Sequence, residues 1–388
     1  MSSLASNART MQHDLKPDRL EPDRLEPDRL EPDRLEPNRS RVGDLRGSAA
    51  LPHGFVGAHA LQAVRAVLAE MGTSPEEVCR NAAIDLRVPY EMEAVSFASL
   101  GRLMAAAADR IGCGHLGLLV GQRTDLLSCG PLGTLVRHSR TIDEALGALE
   151  THYVLLSRGA TIERSTDGLV ATVTYAPYDP DAAGIAHHCE RALGALTGVM
   201  RSLCGADWCP DEVWLPRLAP ADPSPYASYF RAPVRFSQEI TALVFPARLL
   251  RRPILGADPV LRAAAEHGIR CAKAAIPFDL SHEVRRCVRS RATRSRIGKD
   301  EIAQALALNP RTLCRRLRAG GTTFRSITNQ TRLGIAKQLL ADTTMGLAEI
   351  SAVLEFSEPA AFTHAFRRWT GMAPSAWRQD HRTTRPPN

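Results

Sequence analysis

From about Leu51 onward, apolar residues recur at helical spacing. Leu61, Val64, Val67 and Leu68 mark one face, and Gly72 ends that helix. Ser74-Pro75-Glu76-Glu77 predicts the next start, with Ser74 as N-cap and Pro75 in the first turn. Helices follow around Phe97–Ile111 and over 141–156, the latter opened by the capping-box pattern Thr141-Ile-Asp-Glu144. At Gly159 the period changes: 160–164 and 169–175 flank Ser165-Thr-Asp-Gly168, the signature of a β-hairpin. A helix over 190–203 and strands at 212–215 and 241–245 complete a mixture that predicts an α+β domain, residues 51–255. Residues 253–258 read as the exit from that domain. Beyond them every pattern is helical.

Two helix-turn-helix patterns occupy the last hundred residues. In the first, Ile302, Ala303 and Leu306 form an apolar stripe, and Leu308-Asn309-Pro310 turns into a helix whose Leu313 and Leu317 share one face. At 100° per residue, the opposite face carries Arg311, Arg315 and Arg318. In the second, Ile350, Leu354 and Phe356 are the inner positions, and Ser357 is expected to cap a helix with Pro359 in its first turn. Phe362, Phe366 and Trp369 give its buried stripe. Ala360, His364 and Arg367 point outward, with Thr363 at the edge. One helix over 326–341, with Ile327, Ile335, Leu339 and Leu340 inward, connects the two units.

Charge sharpens this division. Residues 282–388 hold 19 Lys+Arg against 8 Asp+Glu, a balance of +11, whereas the preceding residues hold 30 against 34, a balance of −4. A basic C-terminal quarter on a slightly acidic body points to a polyanion-binding module, with nucleic acid favoured over membrane because no basic face is paired with an exposed aromatic one. Seven bases crowd 284–299: Arg285, Arg286, Arg289, Arg291, Arg294, Arg296 and Lys299. Their neutral reading is a solvated face, and their functional reading a phosphate-contact surface.

At the other end, residues 16–40 repeat KPDRL, EPDRL, EPDRL, EPDRL, EPNRS. Proline every five residues forbids a continuous helix, and one leucine per repeat cannot build a core, so residues 1–50 are expected to be a disordered tail. No run of about 18 apolar residues occurs and no export signal is evident, which together predict a cytoplasmic protein. Nine scattered cysteines without a C-x-x-C pair read as free thiols.

The helix-turn-helix region resembles the DNA-binding domain of the AraC/XylS family of bacterial transcription regulators. The carrying motifs are Arg-Thr-Leu-x-Arg-Arg-Leu at 311–317, Gly-Gly-Thr-Thr-Phe at 320–324 and Arg332-x3-Ala336-x2-Leu339-Leu340. To these is added the closing Ala365-Phe366-Arg367-Arg368-x2-Gly371-x2-Pro374-x2-Trp377-Arg378. One departure is Glu355, where the family usually has glycine before the aromatic of the second turn. Residues 51–270 resemble, less strongly, the effector-binding domain of the ornithine/arginine-responsive and virulence-regulator type. That likeness rests on Gly117-Leu-Leu-Val-Gly121, Gly130-Pro-Leu-Gly133 and Tyr229-Phe-x2-Pro-Val-Arg-Phe236.

The resemblance implies two reading helices that enter successive major grooves of double-stranded DNA. Arg311, Cys314 and Arg315 match base-facing positions of the first, with Arg318 beside them. Pro359, Ala360, Thr363 and His364 match those of the second, and Arg367 and Arg368 are phosphate contacts. Arg316 and Arg368 are expected nearer the core edge. The implied architecture is an α+β N-terminal effector/dimerisation domain (51–255), a linker (256–280), an all-α tandem helix-turn-helix domain (281–380) and a disordered tail (381–388).

Other chemistry is thin. His187-His188-Cys189-Glu190 lacks a second cluster at zinc spacing, so no metal or other cofactor is expected. Trp208, Trp214, Tyr226 and Tyr229 are read as core before pocket lining, and Cys314 as a spacer before a redox sensor. No nucleophile elbow, phosphate loop or H-E-x-x-H is present. The expected function is effector-controlled DNA binding by a possible homodimer, with RNA polymerase as a further partner and the effector-binding residues unknown. The alternative is a small-molecule-binding protein or enzyme whose C-terminal part merely packs.

Overall fold

The computed structural model describes residues 54–84, 94–179, 182–276, 278–291 and 298–383. The pentapeptide repeat, Arg294 and Arg296 lie outside them. The chain opens with β1 (Phe55–Gly57), α1 (Ala58–Glu70) and α2 (Pro75–Asn81), then β2 (Ala94–Ser96), which pairs antiparallel with β1. Next come α3 (Phe97–Ile111), α4 (Leu116–Gln122), α5 (Gly130–Arg137) and α6 (Ile142–His152). The hairpin β3 (Ala160–Asp167) and β4 (Val170–Pro177) is in register from Asp167↔Val170 outward, with Gly168 at φ 55° in its tight turn.

A 20-residue helix, α7 (Ile185–Cys204), runs through the middle of the domain. It is followed by β5 (Glu212–Trp214), α8 (Ser224–Phe230), β6 (Val234–Arg235) and β7 (Thr241–Pro246). The five-stranded sheet has the order β3-β4-β7-β5-β6, antiparallel except for β5–β6. Along β4, Ala171, Val173 and Tyr175 turn to the core, while Thr172 and Thr174 face a cleft against the C-terminal helices.

Close helix packing explains the glycines at 117 and 121. A Cβ at Gly117 would lie 2.4 Å from the His187 carbonyl oxygen, and one at Gly121 2.4 Å from that of Arg191. These two positions let α4 lie directly on α7.

The described part of the linker 256–280 is mostly one helix, α9 (Pro259–Ala275). Asp258 caps it by accepting from the Val260 amide at 2.7 Å. Ala265 and Ile269 are buried, Arg262 pairs with Glu144 at 2.6 Å, and Lys273 donates to the Thr151 carbonyl at 3.3 Å. The connection is thereby docked on the N-terminal domain.

The remaining helices are α10 (Leu280–Arg291), α11 (Lys299–Ala305), α12 (Pro310–Ala319), α13 (Phe324–Asp342), α14 (Leu347–Val353), α15 (Pro359–Thr370) and α16 (Pro374–Thr383). The last extends into the stretch read as a tail. Two separate cores form here: Val284, Val288, Ile302, Leu313, Leu317 and Ile327 in one, and Ile335, Leu339, Ile350, Phe362, Phe366 and Trp377 in the other. Among the described residues no single helix is long and apolar enough to cross a membrane.

Candidate nucleic-acid interface

The first helix-turn-helix consists of α11 and α12. Ala307 makes the turn at φ 52°, and the Asn309 side chain caps α12 by accepting from the Arg311 amide at 2.9 Å. Because Leu313 and Leu317 are buried, Arg311, Arg315 and Arg318 stand exposed on the far side, with Cys314 half-buried at the edge. Arg311 lies in the first turn of α12, Arg315 in its middle and Arg318 in its last turn, so the three side chains line the whole exposed face. Arg316, expected nearer the core, is exposed as well.

The Gly-Gly-Thr-Thr motif forms the next joint. Gly321 takes φ 75°, and Thr323 caps α13 by accepting from the Ser326 amide at 3.0 Å. Helix α13 contributes Ile327 to the first core and Ile335, Ala336, Leu339 and Leu340 to the second. It therefore fixes one unit against the other. Its 19 residues span about 28 Å at 1.5 Å per residue, comparable with the roughly 34 Å between successive major grooves on one face of DNA.

In the second unit, α14 starts where the Gly346 amide donates to Glu349 at 2.6 Å. Its turn passes through Glu355 at φ 59°, the left-handed conformation that glycine tolerates best. Glu355 is met by Arg332 of α13 at 3.7 Å, and the same guanidinium lies 5.6 Å from the centre of the Phe356 ring. Glu358, not Ser357, holds the N-cap position of α15, without a side-chain cap; Ser357 stays exposed in the turn. Proline at 359 lacks the amide that a Ser357 cap would otherwise approach at the helix start.

On α15, Pro359, Ala360, His364, Arg367 and Arg368 are exposed and Thr363 is half-buried, its hydroxyl donating to the Pro359 carbonyl at 3.0 Å. Arg368 thus faces solvent rather than the core edge. The closing Trp377-Arg378 of the motif supports this helix from behind. Trp377 packs edge-on to Phe366, and Arg378 donates to the carbonyls of Leu340 at 3.2 Å and Met345 at 2.6 Å, tying α16 to the end of α13.

Of the seven bases before the first unit, Arg285, Arg286 and Arg289 are engaged within the protein, while Lys299 is exposed. Arg289, only 5% exposed, donates to the Pro177 carbonyl of β4 at 2.8 Å. Burial lowers its pKa to about 10, which leaves it charged at neutral pH. Arg286 pairs with Glu283 at 2.9 Å, and Arg285 donates to Gln330 at 3.1 Å. Nearby, the Tyr178 hydroxyl meets His282 at 3.1 Å. Arg289 and His282 hold α10 to the N-terminal domain, whereas the Arg285 and Arg286 contacts stay within the C-terminal helices, a division that composition alone does not reveal.

Within the N-terminal domain, His187 and His188 diverge. His188 stacks on Phe97 and meets its carbonyl at 3.0 Å, while His187 turns to Glu190. Glu190 is fully buried. Burial alone would raise its pKa, but Arg217, His187 and Tyr226 outweigh that and hold it at about 2. Tyr226 and Tyr229 are used structurally, Tyr229 donating to the Gly194 carbonyl at 2.7 Å. Trp214 borders the cleft of about 420 Å³ between the sheet and the C-terminal helices.

Residues 72–254 match the family described as the arabinose-binding domain of AraC transcription regulators, N-terminal, and residues 302–380 match a helix-turn-helix domain. The chain is 27% identical over 246 residues to an uncharacterized HTH-type transcriptional regulator of Mycobacterium tuberculosis, covering 61% of this chain and 63% of that protein. It is 27% identical to the ornithine utilization regulator of Pseudomonas aeruginosa, over 63% of this chain and 72% of the other. With the regulator VirS of Mycobacterium tuberculosis it shares 25% identity over 80% of this chain and 93% of VirS. Among solved structures, the transcriptional regulator CdpR from Pseudomonas aeruginosa is similar at 21% identity and a TM-score of 0.41, covering 86% of this chain and all of that one.

Proposed function

We propose that this chain, which belongs to the AraC family of transcription regulators, binds operator DNA sequence-specifically under the control of a small molecule held in its N-terminal domain. The observation that carries the reading is the face of α12, where Arg311, Arg315 and Arg318 are exposed on a helix anchored by buried Leu313 and Leu317. Arginine reads guanine O6 and N7 bidentately in the major groove, so Arg311 and Arg315 are assigned base contact. Cys314 lies at the edge of that contact, and Arg318 reaches phosphate.

The second reading helix has fewer donors. Pro359 and Ala360 give apolar contact with thymine methyls, His364 and Thr363 give polar contact, and Arg367 and Arg368 give phosphate contact. Residues 51–255 form the effector and dimerisation domain, 256–280 the connection and 281–380 the DNA reader. RNA polymerase and a second copy of the chain are the protein partners in this scheme.

A salt series of binding to the chain's own upstream DNA, with random DNA as competitor, tests the reading. Sequence-specific recognition requires a preference of about 10³-fold or more at physiological salt, along with a steep fall in affinity as salt rises. A salt slope without preference would reduce the domain to a phosphate binder.

A further inference from the structure

The five-stranded sheet turns one face to the core and the other to the C-terminal helices. On that second face Glu163 of β3, Thr174 of β4, Ala242 of β7 and Trp214 of β5 are paired neighbours in one row, and Ser165 and Thr172 are paired in the next. Ala242 contributes only a methyl group between Thr174 and Trp214. Both of these line the cleft of about 420 Å³ against the reader, and so do Arg289 of α10 and Gln338 of α13. Its volume falls within the roughly 300–1,000 Å³ of small-molecule sites.

The polar groups of the cleft define what it can hold. The indole is fixed in place, because its N–H donates to Glu212 at 2.8 Å and Arg235 holds Glu212 at 2.6 and 2.5 Å. Gln238 donates to the Phe236 carbonyl at 3.0 Å through its nitrogen, and no hydrogen bond among the described residues uses its oxygen. Gln338 is only 6% exposed, yet no hydrogen bond among the described residues uses its amide. A buried carboxamide without partners costs free energy that a ligand offering both a donor and an acceptor offsets.

Charge narrows the class. Glu163 lies near enough to Arg289 to favour its charged form, and Glu239 stands exposed at the rim. Arg289 is already engaged by the Pro177 carbonyl, so two carboxylates face one guanidinium and an anionic ligand gains little there. An indole, two carboxamides and a row of hydroxyls suit an uncharged planar ring whose edge mixes donors and acceptors. Carboxamides pair bidentately with such edges, and aromatic side chains stack on such rings.

We propose that this cleft is the effector site and that its ligand is a nucleoside, its base stacked on Trp214 and read by Gln338 and Gln238, its sugar on the hydroxyls of Ser165 and Thr172. Because the sheet forms one wall and α10 and α13 the other, the bound nucleoside also holds the reader in its docked arrangement. The inference rests on the reading of the chain as an effector-controlled regulator and gives that effector a chemical class and a place.

The test is calorimetry on the full chain with adenosine, guanosine, cytidine and uridine, each beside its 5′-monophosphate, and with ribose as the sugar without a base. Saturable binding of at least one nucleoside is expected, about tenfold or more tighter than its nucleotide and than ribose, together with slower hydrogen exchange of the α10 amides in the complex. Gln338→Leu, which keeps the bulk and removes the amide, weakens binding about tenfold or more, and the unliganded variant melts no lower than wild type. Thr172→Phe, which fills the cleft from a strand, abolishes binding independently should Gln338→Leu fail to fold.

Absence of binding by every nucleoside overturns the inference, as does undiminished binding in either folded variant. Equal binding by ribose overturns it because no base is then read, and equal binding by the nucleotide because no charge is then excluded. Unchanged α10 exchange in the complex also overturns it, since the ligand would then sit away from the reader. The same samples are assayed on upstream DNA. Specific DNA binding without nucleoside binding sinks this inference alone, whereas nucleoside binding without specific DNA binding sinks the regulator reading.

Discussion

Glu355 is the position where the chain departs from its family, and replacing it separates two opposing effects. Its φ of 59° is a conformation that costs an L-residue about 1–2 kcal/mol. Glycine removes that cost but brings back about 0.4–1 kcal/mol of unfolded-chain entropy. The ion pair with Arg332, 3.7 Å long and partly exposed, adds about 0–1 kcal/mol that either Glu355→Gly or Glu355→Ala forfeits. Burial depresses the Arg332 pKa, with Glu355 as the opposing charge, so the pair matters more to Arg332 than its length suggests. Glu355→Gly should therefore lie within about 0.5 kcal/mol of wild type, and Glu355→Ala about 1 kcal/mol below Glu355→Gly. Hydrogen exchange of the α14 and α15 amides in the full-length protein reads this locally, a spread of about fivefold in rate. Ala307→Gly in the first turn, at φ 52° and with no ion pair to lose, should slow exchange of α11 and α12. Equal exchange in Glu355→Ala and Glu355→Gly, or no slowing in Ala307→Gly, would refute the strain argument.

Three further outcomes are expected. Arg315→Ala should cost about 1–3 kcal/mol of operator affinity and relax one base position, whereas Arg367→Ala should weaken all sequences alike and lower the salt slope by about one; competition binding distinguishes them. Phe366→Ala, at the centre of the second core, should cost about 3–5 kcal/mol and melt the second unit while the first stays folded, as read by hydrogen exchange. Burial holds His282 at about 4 against an ordinary 6.5, with Arg158 and Arg286 also disfavouring its charged form and Glu283 and Asp279 favouring it. The undocked state thus binds more protons between those values. Docking of α10 on the sheet is full above pH 6.5 and weakens by up to about 3 kcal/mol as pH falls to 4. Limited proteolysis across that range should show it, and His282→Gln should flatten the profile.

The helices with clear periodicity and caps were legible in the sequence. Phe97–Ile111 and the hairpin around Gly168 occur as the pattern predicts. Helix α4 and helix α8 have seven residues each, too few for a period to emerge, and α4 is marked by its glycines only because another helix presses on them. The faces of α12 and α15 followed from the positions of Leu313, Leu317, Phe362 and Phe366, since burying one side of a helix dictates the other. Arg289 shows where this logic stops. Its position on an arginine-rich helix is consistent with solvent, phosphate or an interdomain carbonyl, and only the tertiary fold chooses among them.

Helix α7 links the N-terminal domain to the reader. Two residues before Arg191, Cys189 on α7 lies near enough to Arg289 and Asp342 for their charges to act on it, and Arg217, the partner of Glu190, also feels Asp342. Arg289 belongs to α10 and Asp342 ends α13, the helix that sets one reading unit against the other. A ligand that shifts α7 therefore acts on the element that faces the joint between domains. Well-packed interfaces switch between discrete arrangements rather than deforming smoothly. An effector therefore alters DNA binding only to the extent that it binds the docked and undocked forms unequally, and tenfold tighter binding to one form supplies about 1.4 kcal/mol of bias. The docking contacts Arg289–Pro177 and Tyr178–His282 are the terms against which that bias acts. Loosening them with Arg289→Ala should shift DNA affinity in the direction the ligand does if undocking is the active state, and in the opposite direction if docking is. A variant that changes neither DNA affinity nor its response to ligand would break the proposed link between the N-terminal domain and the reader.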